Sequence, residues 1–173
     1  MKSKKLLAIL ITTIPILAAA QTMYESKIES LLQKMTLEEK IGQLVQYNGF
    51  WDATGPLPKD VDDSKKYEDI KNGKVGSMLN VMGTKQVRAI QKLAVENSRL
   101  GIPLIFGMDV IHGYKTSFPV PLAEAASWDL ELIKKSAQIS ATEAASAGVN
   151  WTFAPMIDIS RNPRWGRVME GTG

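Results

Sequence analysis

No cysteine occurs anywhere in the 173 residues, and histidine occurs once, as His112. Without thiols the chain forms no disulfide, binds no metal through thiolate and runs no cysteine chemistry. A single histidine excludes a paired-histidine metal site, and the carboxylates show no recognisable ligand spacing, so no metal is expected. A lone histidine is more often a structural residue than a base. Gly-x-Ser-x-Gly, Gly-x-Gly-x-x-Gly and the P-loop pattern are all missing, so neither a serine elbow nor a nucleotide cofactor has a foothold, and no cofactor is expected. Net charge is also scarce. The formal +3 comes from Lys2, Lys4 and Lys5: 21 Lys+Arg less these three leaves 18, equal to the 18 Asp+Glu. Nothing in that balance points to nucleic acid. Internal repeats and low-complexity tracts are absent too.

The three lysines open a short address. Leu6 to Leu17 is apolar, and Ala18-Ala-Ala20 before Gln21 is a small-residue cleavage site. Residues 1–20 are therefore predicted to be a secretory signal peptide, too short to span a bilayer stably. No cysteine follows the alanines, so no bacterial lipid anchor is indicated. The mature chain is expected to be exported, periplasmic or extracellular, with no membrane attachment after cleavage.

The remainder reads as alternating elements. Ile28, Leu31, Leu32 and Met35 fall at helical spacing, and Thr36-Leu-Glu-Glu39 is a capping box opening a second helix with Ile41, Leu44 and Val45 as its buried stripe. Asn48 to Asp63, with Phe50 and Trp51, reads as a surface loop. Strands are predicted at Val75–Val81, Ile102–Met108 and Val149–Phe153. A helix capped by Thr84 and another capped by Ser127 and ending at Gly148 connect them. Long connections of this kind imply parallel strands, in a doubly wound sheet or a (β/α)8 barrel. Both architectures keep their sites at strand carboxyl ends. Asp109-Val-Ile-His112-Gly113 follows one strand there. Asp158, Arg161, Arg164, Trp165, Arg167 and Glu170 follow the next. Carboxylate, guanidinium and indole together suit a polyol such as a sugar, although an arginine-rich loop serves a carboxylate or phosphate equally well.

Gly107-Met-Asp-Val-Ile-His-Gly113, Thr116-Ser-Phe-Pro119, Ala126-Ser-Trp-Asp129 and Phe153-Ala-Pro through Arg161-Asn-Pro-Arg-Trp-Gly-Arg167-Val-Met-Glu-Gly171 resemble glycoside hydrolase family 3. The likeness runs from about Met35 to the last residue and is nearest to the secreted or periplasmic bacterial β-glucosidases. It implies an α/β fold, the N-terminal part of a (β/α)8 TIM-like barrel cut after about three strands, since a full barrel takes about 250 residues. It also implies a retaining exo-acting β-glucosidase, with β-glucosides as the carbohydrate substrate. By the same resemblance Asp109 and Arg167 bind the non-reducing sugar, Arg161 matches a less strictly held binding position, and His112 and Asp158 support the loops. The nucleophilic aspartate and acid/base glutamate are expected beyond Gly173, leaving residues 21–173 as an incomplete, inactive catalytic-barrel domain. A β-xylosidase or exo-glucanase of the same family, or a non-catalytic sugar-binding protein, is the alternative.

Overall fold

The structure is a computed structural model that describes residues 24–49 and 63–172. The predicted signal peptide and most of the expected Asn48–Asp63 loop, with Phe50 and Trp51, lie outside the described residues. The chain divides between Lys40 and Ile41 into two units. In the first, helix α1 covers residues 24–34 and the capping box forms as expected. The Thr36 N–H donates to Glu39 at 2.8 Å and the Glu39 N–H to the Thr36 hydroxyl at 3.2 Å, satisfying two amides at the start of α2 (Leu37–Gly42).

The second unit is a parallel α/β layer. Strands β1 (Gln46–Asn48), β2 (Ser77–Leu79), β3 (Ile105–Met108) and β4 (Trp151–Thr152) lie side by side in that order. Their register pairs Gln46 with Ser77, Ser77 with Ile105, and Gly107 with Trp151. The connections carry α3 (Asp63–Lys71), α4 (Thr84–Asn97), then α5 (Pro121–Ala126) with α6 (Leu130–Ser146). Each new strand joins the same side of the sheet. A doubly wound sheet reverses its order at a switch point; this one does not, and its winding is that of a (β/α)8 barrel. The core forms where α3 and α4 cover the sheet, around Phe106, Ile70 and Met78, none more than 1% exposed.

Several elements depart from the sequence reading. The structure holds four strands among the described residues where about three were expected, because Gln46–Asn48 fell at the junction between the expected helix and the expected Asn48–Asp63 loop. α2 stops at Gly42, leaving Ile41 54% and Leu44 87% exposed rather than forming a buried stripe. The cause is a backbone approach. A Cβ on Gly42 would sit 2.6 Å from the Lys74 Cα, and one on Gly76 would sit 2.6 Å from the Gln43 Cα. Only glycine fits at these two positions, where the chain leaves α2 and runs into the sheet. α3 was not foreseen, since Ile70 is the one buried apolar residue it supplies to the core. α6 is capped by Asp129, whose carboxylate accepts from the Leu132 N–H at 2.9 Å, and not by Ser127. The Ser127 hydroxyl instead donates to the Glu124 carbonyl at the end of α5, and Gly83, not Thr84, is the N-cap of α4, without any side-chain cap bond.

Candidate functional site

Asp109 is the first residue after β3, at the carboxyl end of the sheet, and it is exposed. The loop after β4 returns there and ends in a 3-10 turn, Val168–Glu170, which packs against α5. Arg167 immediately precedes that turn. Its Nε and Nη2 donate to one carboxylate oxygen of Glu170 at 2.9 and 2.6 Å. This pair raises the Arg167 pKa above its ordinary value and lowers that of Glu170. The negative charges of Asp158 and Asp109 add smaller upward contributions to Arg167. Asp109 and Arg167, almost sixty positions apart in sequence, both follow strands of this sheet, and no hydrogen bond joins them.

The other predicted residues are distributed differently. Arg161 is exposed and its side chain makes no hydrogen bond to another described residue, so nothing in the geometry joins it to Arg167 or Asp109. Arg164 folds back on its own loop, its N–H and Nε facing the Asn162 side-chain oxygen at 3.0 and 3.4 Å. His112 is a loop brace: the Phe118 N–H donates to its carbonyl at 2.8 Å and its Nδ1 lies 3.2 Å from the Phe118 carbonyl. Two partners were not assigned from sequence. Glu170 orients Arg167, a pairing that its i,i+3 spacing could have suggested. Glu143 on α6 accepts from the N–H groups of Lys115 and Thr116, each at 2.8 Å, and from the Thr116 hydroxyl at 2.7 Å. No local pattern announces that contact. Among the described residues no cluster of three metal-ligating side chains occurs, and no helix is long and apolar enough to cross a membrane. A cavity of about 640 Å³ lies between α6, β4 and the His112 loop, but its lining is mostly apolar and includes none of Asp109, Arg161 and Arg167.

Residues 36–173 match the Glycosyl hydrolase family 3 N terminal domain. The chain belongs to that family. Family 3 relatives include a periplasmic β-glucosidase of Salmonella typhimurium, 43% identical over 148 residues that make up 84% of this chain and 18% of that protein. A putative β-xylosidase of Formosa agariphila is 32% identical, covering 89% of this chain and 22% of its own. The crystal structure of a Listeria innocua β-glucosidase in complex with isofagomine superposes with a TM-score of 0.73 at 44% identity, over 86% of this chain and 20% of that one. The chain spans about a fifth of the length of each. The family 3 match also accounts for the sequential strand order, and it makes this sheet part of a TIM barrel.

Proposed function

We propose that this chain is the N-terminal barrel segment of a retaining, exo-acting β-glucosidase that removes terminal non-reducing β-D-glucosyl residues. The observation that carries the reading is the match of residues 36–173 to the family 3 N-terminal domain, supported by the placement of Asp109 directly after β3 and of Arg167 in the loop after β4. Asp109 would accept from two hydroxyls of the glycone. Arg167, held by Glu170, has its remaining N–H groups to donate. Arg161 would contribute at the rim. Holding the sugar this way lets binding energy act at the transition state. Retaining hydrolysis further needs a carboxylate nucleophile and a carboxylic acid about 5–5.5 Å apart, and neither role is assigned to a residue of this chain. Residues 1–20 would direct export, and residues 21–173 would form part of the catalytic barrel.

Hydrolysis of an aryl β-glucoside by the full-length protein, with the β-anomer of glucose released first, tests the activity. An α-anomer or no turnover would overturn it. The 32% identity to a putative β-xylosidase supports a second reading, which a higher kcat/KM on the matching β-xyloside would favour. For export, mass spectrometry of protein recovered outside the cytoplasm should find a mature N-terminus at or near Gln21, and an intact Met1 would refute the leader.

A further inference from the structure

The segment joining β3 to α5 carries Asp109 at its start and leads into the helix that abuts the Arg167 turn. None of residues 113–117 is buried, so apolar packing does not hold the tip of this loop. Its shape is nevertheless definite. Gly113 has φ 113°, and a Cβ there would run into the Thr116 carbonyl oxygen, so the chain reverses as only glycine permits. The base is closed by the reciprocal contacts of His112 and Phe118. Since a carbonyl only accepts, Nδ1 of His112 is the protonated nitrogen in that contact.

What holds the tip is Glu143. One of its oxygens takes both consecutive N–H groups of Lys115 and Thr116, and the other takes the Thr116 hydroxyl. Successive N–H groups converging on one anion form a nest, and here the anion is supplied from 28 residues away by the helix α6. We propose that Glu143 is a positioning residue for the sugar site: by clamping Lys115 and Thr116 to α6 it fixes the loop that presents Asp109. Both Glu143 carboxylate oxygens are engaged by Lys115 and Thr116, so in this role it acts through the loop and Asp109. The proposal rests on the glucosidase reading above.

The test uses the full-length protein carrying Glu143→Ala, Glu143→Gln, Asp109→Ala and the double variant Glu143→Ala/Asp109→Ala. In Glu143→Ala, hydrogen exchange should speed up across residues 113–118. The kcat/KM on an aryl β-glucoside should fall about tenfold to a hundredfold, the range expected when a binding group is misplaced by about 1 Å. Glu143→Gln should recover part of the loss, because one amide oxygen still accepts from both N–H groups. In the double variant, removing Glu143 should add little to the loss from Asp109→Ala, whereas a residue that merely stabilised the fold would add its full effect. Unchanged exchange at residues 113–118 would overturn the clamp. Additive losses in the double variant would overturn the positioning role. Wild-type protein inactive on β-glucosides and β-xylosides would refute the glucosidase reading, and with it the sugar role, while the exchange data still decide the clamp.

Discussion

Asp109→Ala isolates what that carboxylate does for a bound sugar. The side chain is exposed and makes no hydrogen bond to another described residue, so its removal breaks no such bond within the protein. Exposed substitutions of that kind usually change stability by no more than about 0.5 kcal/mol. The loss then falls on substrate. A carboxylate gripping two hydroxyls makes two charge-assisted hydrogen bonds, each worth about 1.5–3 kcal/mol. At about 1.4 kcal/mol per tenfold, the pair corresponds to roughly two to four orders of magnitude in kcat/KM. Asp109→Asn keeps one acceptor oxygen and loses the charge, so it should fall between wild type and alanine. Lys115→Ala is the control in the same loop: its backbone N–H stays on Glu143, and its exposed side chain makes no hydrogen bond among the described residues. The assay is steady-state kinetics of the full-length enzyme on an aryl β-glucoside, with melting curves for each variant. Near wild-type kcat/KM in Asp109→Ala would remove this residue from the site, and a large drop in Tm would show that it supports the fold instead.

Gln91 on α4 donates to the Leu104 carbonyl at 3.0 Å and accepts from the Leu104 N–H at 2.8 Å, and Leu104 is buried. Gln91→Leu should therefore cost about 1–3 kcal/mol per orphaned group, read as a lower melting temperature. Gly76→Ala should destabilise by about 1–3 kcal/mol, as overpacking does, because the new methyl meets the Gln43 backbone, which cannot swing aside; an unchanged Tm would refute the close approach. The Thr116 N–H, the Thr116 hydroxyl and the Lys115 N–H, in that order, lower the Glu143 pKa below its ordinary 4.5, with the Lys115 charge adding to them and desolvation opposing. A lowered folded value means that the clamp's contribution is fully present above the ordinary carboxylate pKa and fades as pH falls through the folded one. Acid titration of melting temperature should accordingly be shallower below that ordinary value in Glu143→Gln than in wild type, and identical slopes would refute the assignment.

Elements with a strong local signal were legible in the chain itself. The capping box at Thr36 and Glu39 forms because both partners lie within one turn, so nothing distant competes. α4 was readable because Val87, Ile90 and Ala94 recur at the helical period and all three are buried. The motif around Asp109 and the Arg161–Arg167 segment were enough to point to family 3 before any coordinates. β1 was not legible, because Gln46-Tyr-Asn48 is three residues with two exposed polar ones, and it becomes a strand only by pairing with β2. Local pattern alone left the strand order open, since doubly wound and barrel sheets share the same alternation and differ only in which edge each strand joins; the family resemblance supplied the barrel. The grip of Glu143 on Lys115 and Thr116, and where the Arg167 loop lies relative to Asp109, also belong to the tertiary structure. Glu143 reaches a loop 27 and 28 residues earlier in the same crossover, and Arg167 lies a whole strand beyond Asp109; side-chain spacing along a chain carries no information about such placements.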